Sequence, residues 1–194
     1  MSRKHRVWFP GAMYHITNRG NRRSSIFYDD YDCKVYFKIL EEARRSYPFH
    51  LHTYCLMTNH VHLQVETIDH HPKDMMKMLN SRYAMYFNKR HDLVGHVFQG
   101  RYGAELIGSI DYLLDVSRYI HLNPVEANMV KSPSDYRWSS YPAYISDSDN
   151  PHITTTKILS HFPEPQKENY RKFVEGSFTF TSSVMPISSE QIKD

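Results

Sequence analysis

The chain has 194 residues, 40% of them hydrophobic and 23% charged, with a net charge of +3. That balance excludes a disordered polypeptide, allows one domain with an elaborated end, and is too close to neutral to assign a partner by itself. No apolar run approaches transmembrane length, and the basic N-terminus leads into "VWFPGAMYHI" rather than a signal-peptide core. A soluble cytoplasmic protein with no membrane partner is expected.

From Met1 to Tyr28 the charges are all positive: Arg3, Lys4, Arg6, Arg19, Arg22 and Arg23. Inside that stretch "AMYHITNRG" (residues 12–20) alternates and ends on glycine, so it reads as a first strand. Residues 29–47, "DDYDCKVYFKILEEARRSY", have helical spacing at Val35, Phe37, Ile39, Leu40 and Ala43. Acids at the start suit the helix dipole, and Pro48 stops the helix. "FHLHTYCLM" (49–57) and "HVHLQVE" (60–66) read as two strands joined by a tight turn at Thr58 and Asn59. Residues 72–91 form a second helix opened by proline, with Met75, Met78, Leu79, Arg82, Tyr83, Tyr86 and Phe87 on one stripe that reads as core.

Residues 81–103 carry Arg82, Lys89, Arg90 and Arg101 against one acid, Asp92, with Tyr83, Tyr86, Phe87, Phe98 and Tyr102 interleaved. Cations with interleaved rings suit phosphates and unpaired bases; a solvated basic face over core aromatics has the same pattern. "RYGAELI" (101–107) reads as a fourth strand. Residues 109–123 read as a third helix, with Ser109 as N-cap and Pro124 beyond its end.

The order β-α-β-β-α-β predicts an α+β, ferredoxin-like fold: a four-stranded antiparallel sheet, two helices on one face, and the other face free for a ligand. After Asn123, "DYRWSSYPAYI" (135–145) reads as an aromatic-rich irregular segment packed on the body, with Trp138 more a packing anchor than a base platform. Short helices are expected around 154–161 and 166–175, followed by a polar, disordered tail. Residues 1–130 read as the main domain and 131–194 as an extension on it. Cys33 and Cys55 lie in apolar stretches without metal-type spacing, as buried free thiols do.

Strand alternation places Val61, Leu63 and Val65 on one face and His60, His62, Gln64 and Glu66 on the other. The two imidazoles are close enough to share one divalent ion. In the third helix Tyr119 and Asn123 are four apart and stand one above the other. An amide oxygen can ligate a hard cation, and a phenolate is a covalent nucleophile. Taken singly, each has an ordinary reading: surface histidines on a strand, a core tyrosine among fifteen, an asparagine capping a helix end.

"NRGNRRSSIF", "LMTNHVHLQV", "HVFQGRY", "SRYIHLNPVEA" and "DYRWSSY" follow in this order. Together they resemble the single-tyrosine transposases of the HUH endonuclease superfamily, specifically the REP-associated tyrosine transposases, over roughly residues 14–144. The resemblance implies a metal-dependent transposase-like endonuclease and strand transferase acting on single-stranded, hairpin DNA. It implies Tyr119 as the nucleophile that keeps a 5′-phosphotyrosine, and His60 and His62 as ligands of Mg²⁺ or Mn²⁺. It places Asn123 as third ligand where related insertion-sequence enzymes carry glutamine, one methylene longer. Arg19, Arg22, Arg23, Arg101 and Tyr102 would then hold DNA. A monomer is implied, with a homodimer as the insertion-sequence alternative, in the cytoplasm and associated with the nucleoid. The competing readings are a non-catalytic or domesticated single-stranded nucleic-acid-binding protein, and a metal-dependent hydrolase using water.

Overall fold

In the computed structural model, which describes residues 7–176, four strands form one antiparallel sheet in the order β2-β3-β1-β4. The strands are β1 (Met13–Arg19), β2 (Phe49–Met57), β3 (His60–Thr67) and β4 (Gly103–Leu106). Arg3, Lys4, Arg6 and the polar tail lie outside the described residues. Alternation decides the two faces. Tyr14, Ile16, Leu51, Tyr54, Leu56, Val61, Leu63 and Val65 point to the main core under α1 (Asp30–Ser46) and α2 (Pro72–His91). The expected ferredoxin-like arrangement is present.

The second face is not free, contrary to the sequence expectation. Helix α3 (Ile110–Glu126) lies across it, its Val116 and Ile120 packed on Cys55 and Met57. Gln64 is fully buried there, accepting from the Thr53 hydroxyl at 2.8 Å and donating to the Leu113 carbonyl at 2.9 Å. A strand pattern shows which residues share a face but not what covers them, and α3 brings its own apolar stripe to this one.

Helix α3 also runs further than expected, through Pro124 to Glu126. Proline cannot donate to the carbonyl one turn back. The last turn is nevertheless closed by the Ala127 amide on the Asn123 carbonyl and the Met129 amide on the Pro124 carbonyl, both at 2.9 Å. Asn123 is therefore a buried helical residue rather than an end cap.

The extension has the two expected short helices and a further one where an irregular segment was expected. It contains α4 (Tyr141–Ile145), α5 (Thr156–Leu159) and α6 (Gln166–Glu175). Tyr141, Tyr144, Ile158, Tyr170 and Val174 form a second core with Met13 of β1 and Leu113 of α3. A polar knot sits beside it. Fully buried His121 of α3 bonds the Ser140 hydroxyl at 2.7 Å through Nε2 and the Tyr170 hydroxyl at 2.8 Å through Nδ1. Trp138 is an anchor, as expected: its indole donates to Asp30 at 2.8 Å and its ring stacks on Phe37.

On α2 the buried stripe is Met75, Met76, Leu79, Tyr83 and Phe87. Arg82, expected on it, is exposed and donates to Glu42. Cys33 and Cys55 are buried free thiols. Among the described residues no helix is long and apolar enough to cross a membrane.

One buried carboxylate holds the α1–α2 pair together. Asp32 is fully buried and accepts from the Tyr28 amide and the Tyr86 hydroxyl at 2.8 Å, and from Arg90 at 2.5 Å. Burial alone pushes its pKa up, but these bonds outweigh burial and the net shift is below the ordinary value. A carboxylate depressed in the folded state stabilises above its unfolded pKa of about 4, and that contribution is lost as pH falls through the folded value. The melting temperature is expected to drop on acidification below about pH 4. In Asp32→Asn, already weaker at neutral pH, thermal scans against pH should show a smaller acid-induced loss.

Candidate active site

β1 and β3 pair so that Thr17 faces His62 and Arg19 faces His60. This register puts three histidines on the face covered by α3: His15 from β1, His60 and His62 from β3. α3 lowers Tyr119 and Asn123 onto them. The Tyr119 ring stands edge-on to His62 and to His15, with centroids 5.4 Å and 5.9 Å away. The structure thus brings together the sequence-predicted His60, His62, Tyr119 and Asn123, which lie up to 63 positions apart.

The hydrogen bonds fix where the lone pairs point. The Asn59 amide donates to the Arg23 carbonyl at 3.1 Å, which turns its oxygen toward His60. His60 donates to that oxygen from Nδ1 at 2.7 Å. In the neutral ring Nε2 is then a bare acceptor. Facing it at 3.4 Å is Oδ1 of Asn123, a second acceptor, whose amide is turned by donation to the Tyr119 carbonyl at 3.3 Å. Two lone pairs aimed at each other repel unless a cation lies against both. Nε2 of His62 is buried and has no hydrogen-bond partner among the described residues.

A proton is a poor candidate for that cation. Burial pushes the pKa of His60 below its ordinary value, helped by Arg19 and opposed by Asn123. Burial, then the neighbouring His15, His60 and Arg19, holds His62 well below it. Neutral imidazoles with bare nitrogens are the state that ligates a metal. The donor set of two imidazoles and an amide oxygen fits a divalent ion that keeps water or phosphate oxygens in its other positions. Among the described residues no three His, Cys, Asp or Glu side chains are grouped so that they could hold a metal ion.

The predicted DNA contacts divide. Arg19 ends β1 opposite His60, and Arg22 and Arg23 follow in an exposed 3-10 turn, both with positive φ (51° and 61°). Non-glycine residues hold that conformation only where the surroundings fix it. Here the Gly20 amide donates to the Asn59 carbonyl and the Asn21 amide to the Val97 carbonyl, both at 2.8 Å. The turn is thereby tied to the hairpin that carries His60. Arg101 is exposed before β4 at the same end of the sheet.

Tyr102 is not available to a base: it is 6% exposed and sits in the main core. Tyr83, Phe87 and Phe98 of the same basic stretch are core residues too, and Arg90 is paired with Asp29 and Asp32. Core periodicity and a stacking ladder look alike in sequence, and here packing wins. Sequence reasoning missed His15. Its signal was present, since "HITNR" puts His15, Thr17 and Arg19 on one strand face, but the register that makes this the same face as His62 is not written in either strand alone.

Gly20 makes the arginine turn possible. A Cβ there would lie 2.0 Å from the Ser24 carbonyl oxygen and 2.9 Å from the Ile26 side chain. Gly20→Ala is expected to cost about 1–3 kcal/mol and to displace Arg22 and Arg23. A lowered melting temperature together with weaker DNA binding would show both effects.

The family model described as Transposase IS200 like matches residues 9–123. Among solved structures, the REP-associated tyrosine transposase bound to a REP hairpin is similar at 18% identity, covering 79% of this chain and 98% of that chain with a TM-score of 0.64. A protein assigned as a transposase from Deinococcus radiodurans R1, also 18% identical, covers 61% of this chain and 95% of that one with a TM-score of 0.43. No curated protein matches. The first likeness extends the fold past the family match into the extension.

Proposed function

The chain belongs to the IS200-like transposase family, and from that premise we propose that it cleaves and rejoins single-stranded hairpin DNA through a covalent tyrosine intermediate, in the manner of the REP-associated branch. One observation carries the reading: Tyr119 meets two facing acceptors, His60 Nε2 and Asn123 Oδ1, and the buried, unpartnered Nε2 of His62, beside a basic rim. His60, His62 and Asn123 would hold the divalent ion, Mg²⁺ or Mn²⁺, which when bound supplies a Lewis acid at a phosphate oxygen.

The residues of the chain do the rest. Arg19, Arg22, Arg23 and Arg101 hold the flanking phosphates. The Tyr119 oxygen bonds to the scissile phosphorus while the bond from that phosphorus to the 3′ oxygen breaks. Tyr119 gives up its proton and the departing oxygen takes one, leaving a 5′-phosphotyrosine and a free 3′-OH. Reversal with a second 3′-OH joins new strands, and because the phosphodiester energy is kept no nucleotide triphosphate is needed. The neighbour bound to a REP hairpin supports a hairpin as substrate. A monomer in the cytoplasm, working at the nucleoid, is part of the same reading, with residues 131–194 as an extension whose described part, to residue 176, is braced against the catalytic body.

The test is a denaturing gel of the protein with 5′- and 3′-labelled single-stranded hairpins from its own genomic neighbourhood, with and without Mn²⁺. A metal-dependent adduct on the 5′ side is the expected result. Cleavage without adduct would replace tyrosine by water, and binding without cleavage would leave a nucleic-acid-binding module.

A further inference from the structure

His15 is in contact with two groups of the candidate site, His62 and Tyr119. Its ring lies nearly parallel to that of His62, with centroids 5.2 Å apart and 22° between planes, and meets Tyr119 edge-on at 5.9 Å and 74°. Its Nε2 lies 3.0 Å from Nδ1 of His62. It is 8% exposed, so solvent does not replace these contacts.

The two rings share one proton between those nitrogens, and the environment decides which ring carries it. If His15 donated, Nδ1 of His62 would be the acceptor and its proton would sit on Nε2, a buried donor with no partner among the described residues. Either tautomer leaves Nε2 of His62 buried without a partner among the described residues, but only the form protonated on Nδ1 leaves it a lone pair that a cation can satisfy. If His62 donates from Nδ1, its Nε2 is a bare lone pair on the side of the ring away from that bond. Ligating imidazoles are commonly held this way by an acceptor behind them, which fixes ring rotation and tautomer together.

We propose that His15 is a positioning residue for the active site: it accepts the Nδ1 proton of His62 so that His62 presents Nε2 as a ligand, and its ring braces Tyr119 in the same act. The inference rests on the metal site of the proposed function, and goes beyond it in assigning a residue that touches neither metal nor DNA.

Two measurements test it on the full chain without DNA. The first is the tautomer of His62 in the metal-free wild type, read by long-range ¹H–¹⁵N correlation. A proton on Nδ1 is expected; a proton on Nε2 would overturn the proposal whatever the metal does. The second is Mn²⁺ affinity from the free-ion electron paramagnetic resonance signal. His15→Phe keeps a ring and removes the acceptor, and should weaken Mn²⁺ binding by about 10- to 100-fold. His15→Gln restores an acceptor and should recover most of that loss, while melting temperatures report whether each variant is folded. Wild-type affinity in folded His15→Phe, with binding abolished in His62→Ala, would overturn the role of His15 and leave the metal site standing. No Mn²⁺ binding by the wild type would overturn the metal site, and the role of His15 with it.

Discussion

Tyr119→Phe is expected to abolish the covalent adduct and to lower strand cleavage by about a thousandfold or more, with DNA affinity within a few-fold of wild type. The substitution removes one oxygen. The ring stays, and with it the edge contacts to His15 and His62. The exposed Arg22, Arg23 and Arg101 are untouched, so the salt-dependent part of binding is unchanged. A core tyrosine would behave otherwise, losing stability and little else. Labelled hairpin on a denaturing gel separates the cases, and cleavage by Tyr119→Phe at the wild-type rate would sink the nucleophile assignment.

His62→Ala is expected to have an effect on cleavage of the same order, for a different reason. It removes the one site nitrogen that is buried and without a partner among the described residues, and it leaves His15 without its hydrogen bond. Metal affinity should fall by more than the roughly 10- to 100-fold typical of an outer partner. Fluorescence anisotropy at fixed salt should show DNA affinity largely retained, since the basic rim does not depend on this ring. His60→Ala should behave alike, with the addition that Asn123 loses the nitrogen it faces at 3.4 Å. Loss of DNA binding in both variants would refute the separation of metal from phosphate contacts.

Much of this site is legible in the sequence, and the part that is not has a physical reason. Alternation in "HVHLQV" puts His60 and His62 on one side, and the four-residue spacing puts Asn123 one turn from Tyr119. Both are local periodicities, fixed within a single element. That the strand pair and the helix pair meet is available only through the family resemblance, because contacts between residues as far apart as His60 and Asn123 leave no periodic trace. His15 falls in that gap. Tyr102 fails in the opposite direction: beside Arg101 it looks like a stacking platform, but its ring closes the core. The helix over the second sheet face is readable as a helix, yet its docking depends on Val116 and Ile120 finding Cys55 and Met57.

The knot of His121, Ser140 and Tyr170 has a consequence for the order in which the protein is made. A chain growing on the ribosome contains the site histidines and the tyrosine once Tyr119 is added, well before the partners that pin α3 exist. Ser140 must emerge to engage His121 from one side and Tyr170 from the other. Until then the nucleophile rides on a helix held by its apolar stripe and by the Gln64 bond to the Leu113 carbonyl, without the knot. The last support of α3 therefore arrives late in synthesis, and a chain released early would carry every reacting group without the knot that pins their helix to the extension.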